Sequence, residues 1–242
     1  KEQNGTLIKK YSSIDKEDKL EIKKGGNTFV WDTRYKGAEV LDGMIFWSAS
    51  FSGPKAVPGN YEVILEKNGI SQKQSFDILQ DPRSEVTLSE MIEQFDFVNL
   101  VNSSVDKAHK AIKNIRTIRK KLEDFEGLHK ENITLNLLLK KAEKLNQSLT
   151  KIEKALYQTQ NKSNQDPLNF PIRLTNKLGH LNQLVTINDF PPTDQDEIVR
   201  KLLTKKIDEN LEEYEKLIKG DLRLFNENFS KLNLDYLTIN EN

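Results

Sequence analysis

The chain has 242 residues, enough for one large or two modest domains. Its 37 Lys+Arg balance 37 Asp+Glu, so it lacks the basic excess that drives counterion release on nucleic acid, and no apolar run is long enough to cross a bilayer. With no cysteine, the sequence excludes disulfides, thiolate nucleophiles and Cys-ligated metals. The opening Lys1-Glu2-Gln3 holds neither an initiator Met nor a signal peptide, as a processed form or an excised fragment would.

Residues 6–79 read as β-rich. Leu7-Ile8 opens a short strand, and Leu20-Glu21-Ile22 alternates ahead of a Gly25-Gly26 turn. Thr28-Phe29-Val30-Trp31 is β-branched and aromatic, which favours a pleated surface. Residues 44–51 form a denser apolar run with Ile45, Phe46, Trp47 and Phe51. Tyr61-Glu62-Val63-Ile64-Leu65-Glu66 pairs with residues 71–79 across Asn68-Gly69, a turn dipeptide whose two central positions need positive φ. Short strands at this spacing predict a β-sandwich.

The remainder reads as helical. After Asp81-Pro82 ends the last strand, Thr87-Leu88-Ser89-Glu90 forms a capping box, and apolar residues recur at steps of three and four through Phe125. Gly127 is placed to end this first helix. A second helix carries Leu135, Leu138, Ala142, Leu145, Leu149, Ile152 and Leu156 on one face. A shorter third follows Pro171, with Ile172, Leu174, Leu178, Leu181 and Val185. Pro191-Pro192-Thr193-Asp194 announces a fourth, inside which Gly220 predicts a local bend. Heptad-like spacing and short connections predict an antiparallel, up-down-up-down packing. The expected fold is therefore α+β: a small immunoglobulin-like β-sandwich over residues 1–82, then an antiparallel four-helix bundle over residues 83–242.

Two segments of the first third carry a family resemblance. Gly26-Asn27-Thr28-Phe29-Val30-Trp31-Asp32-Thr33-Arg34, followed by Gly53-Pro54-Lys55-Ala56-Val57-Pro58-Gly59-Asn60-Tyr61, resembles a region of large exported bacterial proteins. Those proteins join a sortilin-like β-propeller of BNR-type repeats to a C-terminal tail, and carry a glycosyl hydrolase label through repeat similarity. The same Trp-Asp and Val-Pro-Gly-Asn-Tyr elements are similar to the immunoglobulin-like domain of flagellar hook-capping proteins. The resemblance extends through Asp81-Pro82-Arg83 and the helices to about residue 226. It implies an extracytoplasmic location, a propeller domain N-terminal to this region as partner, and a structural Trp-Asp corner at Asp32. The propeller itself lies outside these residues, so its activity is not carried over.

Residues that carry chemistry are sparse. His109, His129 and His180 are the three histidines, and none stands three or four residues from another, so they read as solvent-exposed rather than metal-binding. Glu126-Gly127-Leu128-His129 has the Glu-x-x-His spacing of di-iron bundles, but only one copy exists. Asp32 beside Trp31 and Asp42 before Gly43 are candidate glycosidase acids, outweighed by their reading as turn formers. The basic run holding Arg116, Arg119, Lys120 and Lys121 reads as a solvated helix face. The segment around Phe46, Trp47 and Phe51 differs, because a two-sided apolar strand must be covered on both faces. The favoured reading is core, or contact with the chain's own helical bundle; the sharper one makes these three residues the candidate interaction surface, docking an N-terminal domain.

The sequence thus points to a non-catalytic accessory or interaction region that acts in binding or scaffolding, with no cofactor, metal or catalytic residue. Two alternatives stand beside it. One is a supporting domain for a glycoside hydrolase whose site lies elsewhere in the full-length protein, and the other is a dimerising helical adaptor. Nucleic acid and a transmembrane segment are not expected, and no external partner is named by any motif.

Overall fold

A computed structural model describes residues 1–2, 5–14 and 19–232. Two strands, β1 (Gly59–Lys67) and β2 (Ile70–Ile78), pair antiparallel from Gly59 opposite Ile78 to Lys67 opposite Ile70. Asn68 and Gly69 both have positive φ, 52° and 79°, so the connection is the two-residue type I′ turn that their chemistry predicts. Five helices follow: α1 (Leu88–His129), α2 (Asn136–Leu156), α3 (Leu174–Val185), α4 (Asp194–Leu217) and α5 (Arg223–Ser230). Among the described helices, none is long and apolar enough to cross a membrane.

Helix starts are set by side chains that take the first orphan amides. The Thr87 N–H donates to Glu90 Oε2 at 2.7 Å, and the Glu90 N–H donates to Thr87 Oγ1 at 3.3 Å, which completes the capping box. Thr193 and Asp196 build the same reciprocal pair ahead of α4. Gly127 does not end α1; the helix continues through it to His129. The bend expected at Gly220 takes the form of a π-helical turn, Ile218–Leu222, between α4 and α5.

The expected β-sandwich does not form. Among the described residues the sheet has two strands, and beside it stand only the isolated bridges Glu2 to Tyr61, Ser12 to Lys19 and Arg34 to Lys55, to which the other period-two runs contribute no residue. Apart from residues 44–51, those runs are two to four residues long, and Ile22, Phe29 and Val30 are exposed. A strand needs a neighbouring ladder and a covered face, and these segments have too few residues to supply either.

The four-helix bundle is likewise corrected: the helices do not make a unit of their own. The chain divides into two compact units, one of Lys1–Val40, Ser48–Val105 and Leu178–Arg200, the other of Leu41–Trp47, Asp106–Lys177 and Lys201–Asn242. Helices α1, α3 and α4 are thereby shared between units that also hold non-helical chain. The last ten residues of the expected bundle, 233–242, lie outside the described residues. The physical reason is polar. Asn102, His109, Thr175, Asn176 and Asn182 are buried at helix positions where a closed bundle would need apolar side chains.

In the first unit, Phe97, Val98, Val101 and Val105 of α1 and Leu178, Leu181 and Val185 of α3 are buried. Residues 33–38 and 51–56 pass close together, bonded from Tyr35 N to Pro54 O, Ala38 N to Phe51 O and Ala56 N to Thr33 O. Glycines make that approach possible. A Cβ on Gly53 would stand 2.1 Å from the Tyr35 carbonyl oxygen, and one on Gly37 would stand 2.1 Å from that of Phe51. Trp31 packs edge-on to Phe76 and tilted against Tyr61, at centroid distances of 6.4 and 6.2 Å.

In the second unit, α2 returns along the C-terminal part of α1. Arg116 Nε and Arg119 Nη1 each donate to one oxygen of Glu153, both at 2.7 Å. Phe125 meets Phe225 and Phe229 of α5 edge-on, at 5.6 and 5.7 Å.

Candidate interaction surface

The segment holding Phe46, Trp47 and Phe51 joins no sheet and bends at Trp47 and Ser48, where Ser48 has φ 45°. Many of its backbone groups are met by side chains, and Ser50 N and Phe51 O by other backbone, since groups that leave water need partners.

Within the second unit, a turn closes from Met44 N to Leu41 O, with Gly43 at φ 78°. The Ile45 N–H then donates to Tyr157 Oη at 2.8 Å. Asn176 of α3 serves Trp47 twice: its Oδ1 accepts the Trp47 N–H and its Nδ2 donates to the Trp47 carbonyl, each at 2.8 Å. One buried amide thus mimics the neighbouring strand that this residue lacks. Phe46 turns its ring toward His109 and Tyr157, at 5.7 and 5.5 Å, and is half-buried. Trp47 keeps 42% of its surface in solvent.

Within the first unit, the pattern continues on α3. His180 Nδ1 lies 2.7 Å from the Ser48 carbonyl, which can only accept, so that nitrogen carries the proton. The Ser50 N–H donates to the Gly179 carbonyl at 2.9 Å, and Asn182 Nδ2 donates to Ser50 O at 3.0 Å. The Ser52 carbonyl accepts from Asn102 at 3.0 Å and from Asn182 at 3.3 Å. Among the described residues the Oδ1 atoms of these two asparagines meet no partner, so both amides act as donors alone. Phe51 seats its ring over Gly179, where a Cβ would come within 2.7 Å of two ring carbons. Of the three candidate residues, Phe46 and Phe51 are occupied by packing within their own units, and Trp47 stays partly in solvent.

The other chemical candidates are likewise placed. Asp32 Oδ1 accepts the Arg34 N–H at 3.1 Å and Trp31 Nε1 donates to the Arg34 carbonyl at 3.0 Å, which makes the Trp-Asp pair a closed local corner. Asp42 is exposed in its turn. His109 is fully buried, contrary to its expected exposure. The basic run on α1 is not wholly solvated either. Arg116 and Arg119 clamp the buried Glu153, Arg119 also donates to Asn146 Oδ1 at 2.9 Å, and the Arg116 guanidinium lies 5.5 Å over the Tyr157 ring. The two arginines together compensate the buried Glu153 carboxylate, so this cluster is a strut. Burial pushes the Glu126 carboxyl above its ordinary value, with Glu143 and Glu123 adding to the effect. Among the described residues no group of three or more His, Asp or Glu side chains is placed to hold a metal ion.

Sequence reasoning passed over Asn176, Asn182 and Asn102, the residues that hold the segment. A signal existed. Thr175-Asn176-Lys177-Leu178-Gly179-His180-Leu181-Asn182 interrupts an apolar helix with amides, and a buried amide on a helix implies an irregular backbone for it to bind. Compared with known proteins, the chain matches no family profile, no curated protein and no solved structure.

Proposed function

We propose that this chain is a non-catalytic interaction region of an exported multidomain protein, with Trp47 as its contact residue and a propeller domain of the same protein as its partner. The observation that carries the reading is the way Trp47 is held. Its N–H and its carbonyl are both bound by Asn176, while 42% of the residue's surface remains in solvent. A large aromatic on a fixed backbone loses little freedom on docking, and tryptophan is over-represented among residues that dominate interface energies. The propeller as partner, and export with it, rest on the resemblance around Trp31-Asp32 and Gly53–Tyr61. The buried charge of Glu153 is engaged in a strut with Arg116 and Arg119, which supports a role through surfaces rather than activated groups.

The test pairs the full chain with the propeller encoded upstream in the same reading frame. Binding in trans by calorimetry is expected, and Trp47→Ala is expected to weaken it by at least about 10-fold with the helical circular dichroism unchanged. A reading frame that encodes no propeller, or undiminished binding by the folded variant, defeats the reading. If the chain instead raises the glycosidase activity of its neighbour without needing Trp47, it is a supporting domain for a hydrolase.

A further inference from the structure

The hairpin leaves one edge of its sheet open, and the open edge is complementary to itself. The type I′ turn makes Lys67 and Ile70 a hydrogen-bonded pair, so every second residue from Ile70 onward turns its N–H and C=O toward β1. Ser71, Lys73, Ser75 and Asp77 therefore point theirs away from the hairpin. The same parity applies to β1, where the outward N–H of Glu62 donates to the Lys1 carbonyl at 2.9 Å and the Lys1 amino group donates back to Glu62 O at 2.7 Å. No corresponding segment covers β2 among the described residues. A two-stranded hairpin is marginal in water, and this one also exposes 63% of Leu65 and 69% of Ile70 on the face it shares with Tyr61 and Phe76.

We infer that β2 pairs antiparallel with β2 of a second copy of this chain, about a two-fold axis at Ser75, to give a four-stranded sheet. Parity and charge select that register. An axis at Lys73 sets lysine against lysine, and an axis at Asp77 sets aspartate against aspartate. Axes at Gln74 or Phe76 place each charge opposite an uncharged residue. Only the axis at Ser75 puts Lys73 opposite the second copy's Asp77, and symmetry makes that pair twice. All the outward backbone groups from Lys73 to Asp77 then gain partners, roughly six hydrogen bonds in all. Asp77 is already steadied for the contact, since Asn60 Nδ2 donates to one of its oxygens at 2.9 Å. An edge-to-edge contact buries far less than a standard interface, so the dimer is weak, with a Kd on the order of 100 µM.

Sedimentation of the full chain from about 5 µM to 1 mM is expected to show a monomer–dimer equilibrium that weakens with salt. Lys73→Glu, which sets two acids against each other twice, is expected to raise Kd by about 10–30-fold. Lys73→Asp with Asp77→Lys exchanges the charges and is expected to restore the dimer to within about 3-fold of the parent. Both side chains are exposed, so these variants should fold, which circular dichroism checks. A monomer throughout the range, a dimer unmoved by Lys73→Glu, or a charge exchange that fails to restore association would each overturn the inference.

Discussion

The hairpin and the segment from Met44 to Pro54 both lie outside the helices, yet they satisfy their backbones by different means. In the hairpin the partner is the adjacent strand, with each hydrogen-bonded residue reached through a two-residue turn. In the segment, beside backbone bonds at Ser50, Phe51 and Pro54, many partners are side chains far along the sequence; Trp47 and its partner Asn176 stand 129 residues apart. A ladder tolerates most exchanges of side chain, because its bonds belong to the backbone. A clamp built from Asn, Tyr and His does not, and it can form only once the helices that carry it are in place. The hairpin should therefore be robust to substitution and locally independent. The segment should be fragile and coupled to the fold.

The sharpest way to break that contrast is at Gly53. A methyl there would meet the Tyr35 carbonyl oxygen at 2.1 Å, a backbone atom that cannot swing aside. Gly53→Ala is expected to lose more than about 4 kcal/mol or fail to fold, whereas Gly26→Ala, which meets nothing within 4 Å, is expected to stay within about 0.5 kcal/mol of the parent. Urea unfolding of the two variants checks the pair.

Next in size is Asn176→Ala. It strands the N–H and carbonyl of Trp47 together, which should cost about 2–3 kcal/mol in the same assay. Because the loss is conformational as well as energetic, the Trp47 indole should become more quenchable by iodide in a Trp31→Phe background. If stability and quenching both match the parent, the side-chain clamp is not what holds this segment.

What could be read from sequence follows the same division. Features decided by neighbours in the chain were open to it: Asn68-Gly69 at the hairpin, the Thr87 and Glu90 box, the face of α2 and the irregularity at Gly220. Features decided at a distance were not. The run Ile45-Phe46-Trp47 has the composition of a buried strand, and only the amides on α3 and the hydroxyl of Tyr157 show why it needs no sheet. Likewise Arg116 and Arg119 look like a solvated face until Glu153 is brought opposite them. At the candidate interaction surface, sequence could not separate Phe46 and Phe51, which are taken up by packing within their own units, from Trp47, which stays partly in solvent.

On the hairpin side the expected effect is smaller. Gly69→Ala forces a Cβ into positive φ at 79° and should cost about 1 kcal/mol. Its signature should be local: faster amide exchange within β1 and β2, with the amides of α1 and α3 unchanged. If exchange quickens across the helices as well, the hairpin is not the independent element that its ladder suggests.

The smallest effect separates a third way of satisfying backbone, by a carboxylate. Glu90 accepts the Thr87 N–H and the Thr87 hydroxyl, and these bonds hold its carboxyl below the ordinary glutamate value. A depressed folded value means that the cap contributes fully above the unfolded value and is lost as pH falls through the folded one. Amides in the first turn of α1 should thus exchange faster, relative to the helix interior, as pH drops from about 5 to about 3. Glutamine can also close a capping box, so Glu90→Gln should keep the turn while abolishing its acid sensitivity. Glu90→Ala should leave the turn frayed at every pH. The clamp on Trp47 relies on the neutral amide of Asn176, so its protection should hold through the same acid range in which the cap is lost.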